Sequence, residues 1–326
     1  MRDNEMMQKR DFLKMLGVSV ASPGGLAWAQ GASNRAVRVI VPLPAGSSND
    51  YVTRMLMPMV GAINGQNYFI DNKAGGNGTI ATLEVVRAAP DGNTLLCGSN
   101  SPLAANLAFV KNLGYDPRKD LTPIAGVSLT NHVLMVKADS PIKSFGEFIA
   151  YAKSHPGQVS VGYSTTAVQT QIATMGQLAG VQLLPVPYKG SPATISDVIG
   201  GVLFATLTDP GNAQAQVKAK QLRALAVTSL KRNPTTPDWP AVSETLAGFD
   251  FPSWNAIVGP AGMSRELVQR VSDAVLKAQK MPDLIEKYAN HGTIPLSMGP
   301  EEVKAYMDSE TTRWVRLARQ ANIQAE

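Results

Sequence analysis

The chain has 326 residues, 44% of them hydrophobic and 17% charged, with a formal net charge of +5 and a mean hydropathy of -0.05. That is the balance of a globular protein with a large core, and the length predicts about two domains. Lysine and arginine are scattered rather than gathered into a run, which argues against nucleic acid as a partner, and the single cysteine, Cys97, excludes an internal disulfide.

The N-terminus reads as an export signal. Lys9 and Arg10 precede an apolar stretch from Met15 to Ala21, and Ala27-Trp28-Ala29 supplies an A-x-A site, so residues 1–29 are expected to be a signal peptide cleaved after Ala29. The segment KRDFLK resembles the twin-arginine export motif with Lys9 in place of its first arginine, which leaves twin-arginine and general secretory export both open. No segment reaches the ~20 apolar residues that a bilayer crossing needs.

Strands then alternate with helices. AVRVIVPLP predicts a strand, followed by a helix in which Val52, Met55, Leu56, Met59 and Val60 share one face. NYFIDN predicts a strand, KAGGNG a loop, TIATLEVVRAA a helix stopped by PDG, and NTLLCGS a strand buried on both faces. A second cycle opens with the strand NHVLMVKA and a helix whose Ser144 and Glu147 form a capping box. QVSVGYS, LLPVPY, LFATLTD and LRALAVTS predict further strands, with the helix SPATISDVIGGVL among them. KRNPTTPDWP, residues 231–240, is the most linker-like segment. Leu267, Val271 and Val275 mark one late helix; Val303, Tyr306, Met307 and Trp314 mark the last, with Pro300 in its first turn. Repeated strand-helix-strand units predict an α/β fold with parallel sheets.

Open α/β sheets place ligands outside the carboxyl ends of their strands. Three such loops stand out in the first half: Pro44 to Asp50, Lys73 to Thr79, and Ser99 to Ser101. The first two run straight into helices, whose leading amides lack intrahelical partners and carry the positive end of the helix dipole. Small residues let the backbone approach a ligand, so an anion is the expected guest. The second half adds Ser164, Thr165 and Thr166, then Lys189, Gly190 and Ser191, and Asp209 in LTDPGN, which serves equally well as a turn cap or a ligand contact. Catalytic patterns are thin. His132, His155 and His291 lack metal-ligand spacing, Ser164 lacks the second glycine of a nucleophile elbow, and GNGTIA opens the wrong strand-helix unit for dinucleotide binding. A secreted α/β enzyme is the reading this argues against.

Several segments in order, VRVIVPLPAGSSNDYVTRML, IDNKAGGNGTIATLEVVRAAPDGNTLL, YDPRKDLTPIAGVS, VPYKGSPATISDVIGG, LRALAVTS and FPSWNAIVGPAGMS, resemble the Bug-type extracytoplasmic solute-binding receptors of tripartite tricarboxylate transporters. The resemblance implies a type II periplasmic-binding-protein fold: two α/β lobes joined by two crossing strands, with the ligand in the cleft between them. Lobe one would comprise residues 30–131 plus 251–326, and lobe two residues 132–250. It implies a periplasmic monomer with no cofactor and no reaction. The receptor would hand a small organic carboxylate, whether a dicarboxylate, an amino-acid-like acid or an aromatic acid, to membrane permease subunits or, alternatively, report it to a sensor kinase.

By the same resemblance, Ala45, Gly46, Ser47, Ser48, Asn49 and Asp50, with Gly75, Gly76, Asn77 and Gly78, hold a carboxylate of the ligand. Ser164, Thr165, Thr166 and Gln169, with Lys189, Gly190 and Ser191, face its distal end. Ser99, Ser101 and Asp209 complete the candidate site on position alone. The family commonly has Gly-Gly where Ser47-Ser48 stand, and a glycine- and serine-rich loop ending in His-Leu where this chain has STTAVQTQIA. Both changes add side chains to the cleft, so the family's common dicarboxylates are not assumed.

Overall fold

The computed structural model describes residues 36–320. The expected signal peptide, residues 1–29, lies outside them. The first strand, β1 (Val37–Val41), runs through a short loop into α1 (Ser48–Asn64). It pairs in parallel with β2 (Tyr68–Asn72) on one side and β3 (Thr94–Ser99) on the other, so that Val39 lies opposite Ile70 and Leu95. Val39, Ile40 and Val41 are fully buried because helices cover both faces, including α2 (Thr79–Val86). After β3 a π-type turn, Ser101–Ala105, leads into α3 (Asn106–Phe109) and then β4 (Leu121–Thr130).

Chain residues Asn131 and His132 carry β4 into the second half, which begins with β5 (Val133–Lys137) and continues through α4 (Phe145–Ser154), β6 (Val159–Tyr163), α5 (Thr166–Ala179), β7 (Leu183–Pro187), α6 (Ser191–Ile199), β8 (Ala205–Thr208), α7 (Pro210–Lys218) and β9 (Leu222–Val227). The chain returns through an irregular segment that includes the linker-like residues 231–240, and β10 (Ser253–Pro260) rejoins the first half. There α8 (Arg265–Ala278), α9 (Pro282–Asn290), β11 (Ile294–Pro295) and α10 (Pro300–Gln320) complete the described chain.

Two sheets result. One has the order β11-β4-β10-β3-β1-β2, the other β7-β6-β8-β5-β9. Each carries a strand that arrives from the opposite half: β10 runs antiparallel to β3 and β4, and β5 runs antiparallel to β8 and β9. Fully buried Thr228 ties the two crossings together. Its hydroxyl accepts from the His132 amide at 2.8 Å and donates to the Phe251 carbonyl at 3.3 Å, while its own amide donates to the His132 carbonyl at 2.9 Å. Beside this crossing, Trp254 and Trp314 both donate their indole N–H to Glu310 of α10, which is how a buried carboxylate is satisfied there.

The α/β expectation holds, but the sheets are mixed rather than parallel, because β4, β5, β10 and β11 pair antiparallel. The strands β4 and β10 were not read from the sequence, because their buried runs carry proline, glycine and polar residues and lack a clear alternation. The capping box of α4 is half formed: the Ser144 hydroxyl accepts from the Glu147 amide at 3.1 Å, but Glu147 reaches back to the amide of Lys143, one residue early. Among the described residues no helix is long and apolar enough to cross a membrane.

Candidate functional site

The loops that end β1, β3, β6, β7 and β8 converge between the two sheets around a cavity of about 40 Å³, room for about three water molecules. The local sequence explains the convergence. Four of these strands, β1, β6, β7 and β8, lead to a small residue that caps a helix: Ser47 for α1, Thr165 for α5, Gly190 for α6 and Asp209 for α7. The cavity is therefore walled by helix N-termini from both halves, with the positive ends of their dipoles turned toward one small space.

At α1 the Ser47 hydroxyl accepts from the Asp50 amide at 3.3 Å, and the first intrahelical bond runs from the Tyr51 amide to the Ser47 carbonyl. The amides of Ser48 and Asn49 are thus left for a ligand. Side chains add to this set. Ser48 Oγ, Asn100 Nδ2 and His132 Nδ1 are buried cavity-lining atoms with no hydrogen-bond partner, an uncommon state for polar groups in a finished core. Asn49 is held in place by donating to Asn255 at 2.8 Å, and Asn255 in turn donates to Ser128 at 2.9 Å.

Among the described residues, His132 and Asp209 are the only ionisable ones in the cavity wall. Burial pushes the His132 imidazole down to about 4, against the opposing pull of Asp209, so it is neutral at neutral pH. Asp209 caps α7, accepting from the amide of Asn212 at 3.0 Å and from its side chain at 2.8 Å, and it also faces the cavity. Of the two roles open in the sequence, the helix cap is the one present. Without lysine or arginine in the wall, an anion here would be held by dipoles and hydrogen bonds.

The expected site residues divide into groups. Ser47, Ser48, Asn49, Ser99, Ser164, Thr165, Gly190, Ser191 and Asp209 line the cavity. Gly76, Asn77, Thr166 and Gln169 line a second, more open pocket of about 390 Å³, which shares Ser164 with the first and is walled by Phe109, Tyr163 and Tyr188. Gly75 and Gly78 bracket the tight turn beside it. Gly78 has a φ of +85°, and a Cβ there would press on Pro102 and Pro42 at 3.1 and 3.2 Å. Ala45, Gly46 and Lys189 are exposed and line neither pocket.

Asp50 points away from both. It accepts from Gly46, Arg54 and Asn72 and organises the loop from behind, and these contacts hold its carboxyl below the usual range against the cost of burial. Ser101 bridges the halves by accepting from the Ala167 amide at 3.3 Å, alongside Thr166 donating to Asn106 at 3.0 Å. Asn100, Thr130, His132, Ser253 and Asn255 also line the cavity and were not among the expected residues. Thr130, Ser253 and Asn255 lie on β4 and β10, the strands not read from the sequence.

Comparison with known proteins identifies this architecture. The family model described as the tripartite tricarboxylate transporter family receptor matches residues 52–323. The chain belongs to that family. This receptor is 28% identical to the protein BugT of Bordetella pertussis, over 96% of this chain and 98% of BugT. Its fold matches that of R. palustris Rpa4515 with adipate at a TM-score of 0.87 and 27% identity, covering 90% of this chain and 100% of that one. It also matches MatC from Rhodopseudomonas palustris with bound malate, at a TM-score of 0.81 and 27% identity, covering 87% and 98% of the two chains. The chain is a Bug-type solute-binding receptor with a periplasmic-binding-protein fold.

Proposed function

We propose that this receptor, exported to the periplasm by a signal peptide cleaved after Ala29, captures a small organic carboxylate between two lobes and delivers it to the permease subunits of a tripartite tricarboxylate-type transporter. Lobe one comprises residues 30–131 plus 251–326 and lobe two residues 132–250, with the Thr228 crossing as the hinge. The observation that carries the reading is the small cavity walled by helix N-termini and unpartnered polar atoms, with no lysine or arginine among its described lining residues. The malate and adipate bound by the two structural neighbours support a dicarboxylate, and the small cavity favours a compact one. Asp209 favours a hydroxyl or amino substituent, because a buried carboxylate facing an anion is compatible with it only where a donor lies between them.

Thermal unfolding of the mature chain against C4 to C6 dicarboxylates, citrate, acidic amino acids and aromatic acids tests this. An acid present at a hundredfold excess over its dissociation constant is expected to add about 2.7 kcal/mol of stability and raise the melting temperature. An unchanged melting temperature with every acid in the panel would overturn the carboxylate reading.

A further inference from the structure

His291 lies in the turn between α9 and β11, outside the cavity wall, and the binding reading makes no use of it. Its ring is nonetheless closely packed between the halves. Tyr51 of α1 stacks on it with ring centroids 4.0 Å apart and planes 10° from parallel. From across the cleft the first turn of α7 seats on it: a Cβ on Gly211 would overlap the imidazole atoms. The next residue repeats the fit in reverse, since a Cβ on Gly292 would meet Pro210 at 2.5 Å. Asn212 completes the contact by donating to the Gly46 carbonyl at 3.3 Å. Two glycines, one on each side, let the halves approach this closely.

We propose that closure of the cleft is proton-linked through His291: the α7 end of lobe two seats on an uncharged imidazole, so acidification opens the cleft and releases the solute. The proposal rests on the two-lobe reading above. In the closed arrangement the His291 side chain is only 11% exposed, and its Nε2 stands 3.8 Å from Asp209 Oδ1, beyond hydrogen-bond distance. Both Asp209 oxygens already accept from Asn212. The titratable groups against the ring are Tyr51 from α1 and Asp209 from α7, with His132 of the crossing beyond Asp209. Burial lowers the His291 value, and the charge of Asp209 only partly opposes it.

The sign follows. Opening returns the ring to water and to the ordinary imidazole value of 6.5. A group whose value is depressed in the closed form costs nothing above 6.5 and opposes closure increasingly as pH falls below it. His132, held down to about 4 by burial, adds to the linkage with the same sign to the extent that opening hydrates it, and the ring-by-ring titration reads the two separately.

Proton NMR titration of the histidine rings in the mature chain tests the linkage without any solute, with His291→Gln assigning the signal. The His291 midpoint is expected below 6.5, returning to the ordinary value in Gly211→Ala, which cannot seat. Gly190→Val opens the cleft from its other wall, where a Cβ would meet Pro44 at 2.7 Å, and is expected to do the same should Gly211→Ala not fold. A midpoint at or above 6.5 in the parent chain, or a lowered midpoint unmoved in every folded wedge variant, would overturn the proposal. Failure of every acid in the melting screen would sink the carboxylate reading and leave this titration unaffected.

Discussion

On the proposed reading, Ser48 matters to capture and hardly at all to folding. Its hydroxyl is buried at the N-terminus of α1, lines the cavity and has no partner in the protein. Ser48→Ala therefore removes no internal hydrogen bond, and the melting temperature of the unliganded chain is expected to stay within error of the parent. A hydrogen bond to a charged group is worth about 1.5–3 kcal/mol, so affinity for the acid found in the melting screen is expected to fall roughly 10- to 150-fold by calorimetry. Equal affinity in the two proteins would place the solute away from α1. Ser48 was legible in the sequence because a small polar residue between a β-branched strand and a helical pattern marks a helix start. His132 was not, since nothing in a linear pattern marks it as part of a crossing whose residues face a cavity.

At the scale of elements, the first turn of α1 is tied to β10. The chain from Asn49 to Asn255 to Ser128 links the first turn of the helix to two neighbouring strands through buried side chains. Asn255→Ala leaves the Asn49 amide and the Ser128 hydroxyl without that partner in the interior, which is expected to cost about 1–3 kcal/mol in chemical denaturation. It should also weaken solute binding, because the helix end is no longer fixed. A stability change without an affinity change would show that the helix end stays in place by packing alone. The same elements show what periodicity could and could not reveal. The helices α1, α8 and α10 were readable from their apolar spacing, and β1, β3, β5, β6, β8 and β9 from short apolar runs. By contrast, β10 is buried along its whole length, shifts register twice and mixes Ser253, Asn255 and Gly259 with apolar residues. A strand made polar by the network it carries gives no alternation to read, so the cavity residues on β4 and β10 were missed together. The strand-end loops were found because their chemistry is local.

For the whole molecule, the two-lobe proposal turns on whether one lobe could hold the solute alone. About four charge-assisted hydrogen bonds from α1 and its surroundings supply roughly 6–12 kcal/mol, while loss of rigid-body freedom costs an estimated ~4–15 kcal/mol. Micromolar binding, about -8 kcal/mol, thus requires the second lobe and the exclusion of water on closure. On that proposal Gly190 is a close approach beside the cavity, since its backbone is extended and its missing side chain leaves room for Pro44. Gly190→Val can adopt the same backbone in an open form, so the fold and its melting temperature without solute are expected to survive. What should be lost is closure: by small-angle scattering the variant is expected to have a larger radius of gyration than the parent chain, and to keep it when saturated with the acid. Affinity should fall with it toward what one lobe supplies, at least a hundredfold if closure contributes about 3 kcal/mol. A variant that is as compact as the parent and binds like it would mean that the solute is held without the two lobes meeting at Pro44 and Gly190.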